Sequence, residues 1–131
     1  MQFSGILVGS DDPKGMWDYY RKVFGDPAYS DDSYSTWMFG SGAISIGAHS
    51  EVSGKNAQPG RLIWNLETTD VRGEFDRLKA AGAIVVKEPY NFEEYPDAWI
   101  ATLADPDGNY FQLMTPFDEA AMSGGQDSNP G

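Results

Sequence analysis

The strongest constraint on this sequence is an internal repeat with an offset of 58 residues. Asp12 and Asp70 each precede a stretch with helical spacing of apolar residues, and aspartate is a favoured cap for the free N–H groups at a helix start. Aligning the two aspartates places Trp17 over Phe75, so apolar positions of the two helices coincide. A repeat of this length predicts two copies of one supersecondary unit that pack together.

Each copy has the pattern of a strand, a helix and three further strands. In the first copy the spacing of apolar residues and turn residues predicts strands at 3–9, 28–30, 35–39 and 43–48, with a helix ending near Phe24. In the second copy it predicts strands at 61–67, 83–86, 98–103 and 110–114, with a helix from Val71 to Ala81. The sequence therefore predicts an α+β fold of two tandem βαβββ modules that form curled mixed sheets around a cavity.

The domain boundaries follow from composition. The segment 50–60 contains few apolar residues and predicts a linker between module 1, about 3–49, and module 2, about 61–116. Residues 117–131 lose all periodicity and end in glycine, serine, asparagine and proline, which predicts a flexible tail. A single domain over 1–116 is long enough to build one hydrophobic core.

The charge and composition of the chain exclude several classes of partner. Twenty acidic and nine basic residues give a net charge of −11, which repels nucleic acid and anionic membranes. The chain has no cysteine, so disulfides, zinc–thiolate sites and cysteine nucleophiles are excluded. The N-terminal residues show neither a signal peptide nor a long apolar stretch, and a cytoplasmic location is the expectation.

Two segments carry a resemblance to a known superfamily. One runs from Ile6-Leu7-Val8-Gly9-Ser10-Asp11-Asp12-Pro13 to Tyr19-Tyr20-Arg21-Lys22-Val23-Phe24-Gly25, and the other is Ala104-Asp105-Pro106-Asp107-Gly108-Asn109-Tyr110-Phe111-Gln112-Leu113. Together with the repeat, they resemble the vicinal oxygen chelate superfamily of glyoxalases, bleomycin-resistance proteins and extradiol dioxygenases over about residues 3–116. The resemblance implies paired modules around a ligand cavity, and it favours a homodimer.

The resemblance also implies where a metal would bind, and this sequence departs from that pattern. Metal-dependent relatives carry His, Glu or Gln on the first, fourth, fifth and last strands. The matching positions here are Gly5, Ser45 or Gly47, Ile63 and Gln112. Only Gln112 has an effective donor, and one amide oxygen cannot hold a catalytic ion. We therefore expect no metal at this site and no cofactor.

The resemblance to the superfamily also implies which strand faces line the cavity: those that contain Gly5, Asn65 and Gln112. Because side chains alternate along a strand, Asn65 shares its face with Glu67, and Tyr110 shares its face with Gln112. Aromatic side chains can stack on a planar ligand, although they are equally common in cores and interfaces. The ligand-binding residues predicted on these grounds are Trp37, Asn65, Glu67, Trp99, Tyr110 and Gln112.

Three functions remain open at this point. The first is a metal-independent protein that binds an apolar or aromatic small molecule. The second is a glyoxalase-like lyase, isomerase or dioxygenase, which would use a relocated metal or Glu67 as a general base. The third is a structural dimer without a ligand. His49 and Glu51 could form a separate metal site, but two potential ligands in a loop rarely suffice, and we favour a solvated loop histidine.

Overall fold

A computed structural model describes residues 1–116 as two consecutive βαβββ modules. The first consists of β1 (Gly5–Ser10), α1 (Pro13–Phe24), β2 (Tyr29–Ser30), β3 (Tyr34–Phe39) and β4 (Gly42–Ala48). The second consists of β5 (Ile63–Glu67), α2 (Val71–Ala80), β6 (Ile84–Asn91), β7 (Trp99–Ala104) and β8 (Tyr110–Met114). A single 3-10 turn at Pro59–Arg61 lies between them. The tail predicted over 117–131 lies outside the described residues.

Each module forms one four-stranded mixed sheet. Sheet A has the strand order β1-β4-β3-β2, and sheet B has the equivalent order β5-β8-β7-β6. In both sheets the first strand pairs in parallel with the last strand, and the remaining pairs are antiparallel. The predicted fold class is confirmed. Several strand boundaries differ by one or two residues, and the largest difference is in β6, which continues past the predicted end at Val86 to Asn91. Strand β6 is an edge strand, where Pro89 is tolerated.

The two helices begin in the same way. The Asp12 carboxylate accepts a hydrogen bond from the backbone N–H of Gly15 at 3.1 Å, and the Asp70 carboxylate accepts one from Gly73 at 3.0 Å. These bonds satisfy N–H groups that have no partner within the helix. The repeat detected in the sequence is therefore a repeat of helix caps as well as of apolar positions.

One hydrophobic core joins the two modules. The Tyr20 ring of α1 lies 5.4 Å from the Trp37 ring of its own sheet and 6.3 Å from the Trp64 ring of sheet B. The Phe24 ring lies 5.5 Å from Phe111 in β8. Helix α1 therefore buries its apolar face against both sheets, and one cluster of buried residues includes both modules.

Hydrogen bonds fix the same junction. The Tyr19 hydroxyl donates to the Ala104 carbonyl at 2.6 Å, and the Tyr20 hydroxyl donates to the Asp105 carboxylate at 2.9 Å. Asp105 is only 1% exposed, and it also accepts from the backbone N–H groups of Asp107 and Asn109. The Asp-Pro-Asp-Gly-Asn sequence therefore forms a turn that Asp105 holds together and that α1 binds from the other module.

Candidate functional site

Each sheet has a face that points away from the helices, and we name these faces open face A and open face B. Side chains alternate between the two faces of a strand, while directly paired residues on neighbouring strands share a face. The register of sheet B therefore defines open face B as three rows. The rows are Ile63, Tyr110, Ala104 and Ile84; Asn65, Gln112, Thr102 and Lys87; and Glu67, Met114, Ile100 and Tyr90.

The middle row of open face B is polar across all four strands. Gln112 is half-buried, and its Nε2 donates to the Thr102 hydroxyl at 3.1 Å. This bond orients the Gln112 amide, so that its Oε1 remains available as an acceptor. Asn65 and Lys87 are exposed at the two ends of the row. The rows on either side are mostly apolar, and the result is a polar line across an apolar surface.

Open face A repeats this arrangement with smaller side chains. Its middle row contains Leu7, Ser45, Thr36 and Tyr29, and Thr36 and Ser45 form a hydroxyl–hydroxyl hydrogen bond of 2.8 Å. The bonded pair Thr36 and Ser45 thus matches the pair Thr102 and Gln112 in the other module. The small residues Gly5 and Ala43 leave a hollow of about 490 Å³, whose lining residues are Ser4, Gly5, Ile6, Leu7, Tyr29, Asp31, Tyr34, Thr36, Ala43 and Ser45.

The rim of this hollow carries one negative charge. The Asp31 carboxylate accepts hydrogen bonds from the backbone N–H groups of Tyr34 and Ser33 and from the Tyr29 hydroxyl. These bonds stabilise the ionised form and lower the pKa of Asp31 below its ordinary value. The hollow therefore offers a fixed carboxylate beside neutral hydroxyl groups.

The positions at which metal-dependent relatives carry ligands lie on the two open faces but do not form a donor set. A methyl group built on Gly5 would overlap the Ala43 carbonyl oxygen, so this position has no room for a side chain. Ile63 has no donor, and the Ser45 hydroxyl is bonded to Thr36. Gln112 contributes one amide oxygen. These residues do not fit a divalent ion, which needs several fixed oxygen or nitrogen ligands.

The structure brings four of the six predicted ligand-binding residues together. Asn65 and Gln112 are direct neighbours in the middle row of open face B. Tyr110 lies in one flanking row, and Glu67 lies exposed at the corner of the other. The alternation of side chains along each strand, which groups these residues in the sequence, is also the alternation seen in sheet B.

The two predicted tryptophans do not belong to an open face, and their role in ligand binding stays a prediction. Trp37 is 2% exposed in the core beneath α1, and its Nε1 donates to the Gly25 carbonyl at 2.9 Å. Trp99 packs against the core on the helix side, where the Arg72 guanidinium lies 4.3 Å from its ring centroid. Trp37 is a core residue, and Trp99 is partly buried against the core. Burial of large apolar rings stabilises the junction of helix and sheet.

The remaining candidates are isolated. His49 is exposed, and its Nδ1 accepts the backbone N–H of Glu51 at 3.1 Å, which engages one of the two nitrogens that could bind a metal. Within residues 1–116 no group of three or more His, Cys, Asp or Glu side chains has a geometry that could hold a metal ion.

Sequence reasoning missed Thr102 and Lys87. The position of Thr102 on open face B could have been predicted from strand alternation. Thr102 lies two residues before Ala104 and pairs with Gln112 in the adjacent strand. The position of Lys87 on open face B could not be predicted from periodicity, because an irregularity in β6 determines which face the side chain occupies. Edge-strand irregularities depend on pairing geometry, which the sequence does not display.

A larger cavity of about 850 Å³ lies between the modules. It includes Phe24, Phe39 and Trp64 from the core, and Asn65 and Glu67 form part of its lining. Glu74 and Arg77 of α2, which form a 2.7 Å salt bridge, also contribute to it. This intermodular cleft therefore adjoins open face B along β5.

Solved structures identify the fold class. A glyoxalase-related enzyme from Fulvimarina pelagi has a TM-score of 0.69 and 18% identity, over 88% of each chain. A glyoxalase/bleomycin resistance protein/dioxygenase family enzyme from Burkholderia phytofirmans PsJN has a TM-score of 0.66 and 24% identity, over 87% of this chain and 98% of its own. TioX from Micromonospora sp. ML1 has a TM-score of 0.66 and 18% identity, over 89% and 100%. At these identities the likeness shows the fold alone.

The family follows from the sequence. The profile of the glyoxalase-like domain matches residues 5–114, which includes both modules, and the chain belongs to this family. No curated protein matches the chain significantly. Neither helix within residues 1–116 is long and apolar enough to cross a membrane.

Proposed function

We propose that this protein binds an apolar or aromatic small molecule on its open faces without the help of a metal. The observation that supports the proposal is the polar middle row of open face B between two mostly apolar rows. A few placed polar groups on an apolar surface are typical of small-molecule sites. The bond from Gln112 to Thr102 fixes one of these groups in advance, which reduces the entropy lost on binding.

Metal independence is proposed from the residues at the family's ligand positions. Gly5 has no space for a donor side chain, and Ile63 has no donor atom. Catalysis with Glu67 as base has less support, because Glu67 is exposed, whereas enzymes usually tune a catalytic carboxylate by burial. Turnover of the bound compound, detected by mass spectrometry, would favour the enzymatic alternative.

We also propose a homodimer in which a second copy of the chain covers open face A. Open face A exposes Leu7, Met38 and Tyr29, which are 53%, 50% and 58% accessible, and Phe3 beside it is 82% accessible. Strands β1 and β5 are unpaired sheet edges, and natural proteins usually cover such edges. Sedimentation equilibrium at tens of micromolar should give twice the chain mass. A mass of 14.4 kDa would contradict the dimer.

The binding experiment begins with native mass spectrometry of the purified protein to identify small molecules that copurify. Affinity for the identified compound is then measured by calorimetry with and without a chelator, and it should not change. Replacement of Gln112 by alanine should weaken binding about 3- to 10-fold, as expected for one net hydrogen bond. The matched control is Trp99→Phe, which alters a ring on the helix side and should leave the affinity unchanged.

Two results would contradict this proposal. Binding that requires an added divalent ion would refute metal independence. Affinity that is the same in wild type, Gln112→Ala and Asn65→Ala would place the ligand elsewhere, and the intermodular cleft around Trp64 would be the next site to test. Circular dichroism of each variant establishes that it has folded before its affinity is compared.

A further inference from the structure

An irregularity in β6 turns one lysine onto open face B. Val85 pairs with Leu103 and Lys87 pairs with Thr102, so two steps along β6 match a single step along β7. In a regular strand Lys87 would share the face of Val85 and point toward the helices. The extra residue, Val86, forms a β-bulge that turns Lys87 to the opposite side. Bulges often occur beside functional sites, where they redirect a side chain.

Lys87 completes the polar middle row at the end opposite Asn65. Neighbouring strands lie about 4.8 Å apart, so the row spans roughly 14 Å from Asn65 to Lys87. The Lys87 ammonium lies 4.7 Å from the centroid of the Tyr90 ring, which belongs to the adjacent row of the same face. A cation–π contact of this kind favours positions of the ammonium above this face of the sheet.

The charges on this face are few and well separated. Among the residues that form the three rows of open face B, Lys87 is the only cation and Glu67 the only anion. Lys87 lies on the edge strand β6 at the end of the middle row, and Glu67 lies on the opposite edge strand β5 in a flanking row. Neither of the two salt bridges found among residues 1–116 involves Lys87. A neighbouring cation, Lys79, instead lies 4.0 Å from Glu88. The Lys87 charge is therefore available to a ligand.

We infer that Lys87 recognises a carboxylate on the ligand, a conclusion that rests on the proposed binding function and extends it to a ligand class. The ligand is an elongated aromatic or apolar monocarboxylic acid whose far end carries a hydrogen-bond donor for the Gln112 Oε1. Its body lies along the apolar rows beside Ile100 and Tyr110. A single lysine in a protein of net charge −11 favours a monoanion, because a polyanion would meet net repulsion.

The test uses 4′-hydroxybiphenyl-4-carboxylate and its methyl ester as matched probes, titrated into the full chain by calorimetry. Wild type should bind the carboxylate about 3- to 10-fold more tightly than the ester, as expected for a partly exposed charge-assisted contact. Lys87→Gln should abolish this preference and leave the affinity for the ester unchanged, whereas Lys87→Arg should retain it. Raising the salt concentration should reduce the preference, because the contact is partly exposed.

The control is Lys79→Gln, which removes an exposed lysine on α2 and should leave the preference intact. Equal affinity of wild type for both probes, or a preference that survives in Lys87→Gln, would overturn the inference. Suppose that Gln112→Ala weakens binding of the ester while Lys87→Gln does not change the preference for the carboxylate. In that case only the inference about the carboxylate fails. If neither probe binds wild type, or Gln112→Ala has no effect on the ester, the proposed site on open face B fails as well.

Discussion

At the scale of single residues, the buried carboxylate of Asp105 depends on its hydrogen-bond donors. Burial raises the pKa of Asp105 above its ordinary value, which means that the folded environment disfavours its charge. Hydrogen bonds from Tyr20, Asn109 and the backbone oppose this effect. The loss of any one of them leaves a desolvated carboxylate with less compensation.

We expect Tyr20→Phe to lower the free energy of unfolding by roughly 1 to 3 kcal/mol, because a hydrogen bond to a buried charged group is lost while the ring remains. Urea denaturation followed by circular dichroism measures the change. Tyr29→Phe is the matched control, since its hydroxyl donates to Asp31 on an exposed surface; its stability should be close to that of wild type. Equal effects of the two substitutions would contradict the role assigned to Tyr20.

A second residue, Tyr19, contributes to the loss of stability at alkaline pH. Burial, opposed by a hydrogen bond from the Ile84 N–H and reinforced by the nearby Asp105 charge, raises the pKa of Tyr19 to about 12. Below pH 10 the phenol is protonated in both states. Between pH 10 and about 12 the unfolded chain releases this proton while the folded chain retains it, so the unfolded state gains stability.

The free energy of unfolding should therefore fall by roughly 2 to 3 kcal/mol from Tyr19 alone as the pH rises through this window. Urea titrations at pH 8 to 12 measure the slope. Tyr19→Phe lowers stability at every pH, because its hydrogen bonds are lost, but its stability should decline less steeply above pH 10. The remaining slope includes a contribution from Tyr20, whose pKa burial also raises. An unchanged slope in Tyr19→Phe would be the contrary result.

The site residues show what sequence alone could supply. Asn65, Glu67, Tyr110 and Gln112 were found together because alternation along a strand fixes their relative orientation. The sequence does not tell which sheet face Trp37 and Trp99 occupy, because a large aromatic ring suits a ligand pocket and a helix–sheet core equally well. Whether such a ring is buried depends on which helix covers its strand, and here α1 and α2 cover these two.

At the scale of elements, the capping aspartates are the clearest shared feature of the two helices. We expect Asp12→Ala and Asp70→Ala each to lower the free energy of unfolding by about 0.5 to 2 kcal/mol, since each removes the acceptor for one helix N–H. Chemical denaturation of the two single variants tests this. Asp76→Ala, which alters an exposed aspartate within α2, is the control and should change stability little. A cap variant as stable as the control would show that the cap contributes little.

The elements also differ in how well they could be predicted. Both helices and the last strand were found nearly to the residue, because caps, apolar spacing and turn residues all marked their ends. Strand β6 was predicted too short, since Pro89 and the charged residues around it are unusual within a strand. Its bulge at Val86 had no counterpart in the pattern, and with it the orientation of Lys87 was missed.

At the scale of the whole molecule, the shared core means that the modules should not fold separately. A fragment of residues 1–55 would expose the faces of Tyr20 and Phe24 that pack against Trp64 and Phe111 in the full chain. We expect this fragment to show no cooperative urea transition, because burial of its apolar area requires the second module. A sigmoidal transition in the fragment, with native-like circular dichroism, would contradict this expectation.

The repeat and the family resemblance predicted the paired modules, yet neither predicted how α1 joins them. Helix α1 contacts sheet B through the β7–β8 turn, where Tyr19 and Tyr20 bond to Ala104 and Asp105. Partners 85 positions apart leave no periodic trace in a single sequence. The contact depends on the packing of one complete module against the other.

The close approach of β4 to Gly5 also bears on how such a protein could change over evolutionary time. A histidine or glutamate at this position would require β4 to move away from β1, since the Ala43 carbonyl occupies the necessary space. A single codon change there would damage the sheet before it provided a metal ligand. A metal-dependent descendant would therefore more readily arise through other positions of the open faces, or after earlier substitutions had widened the gap between these two strands.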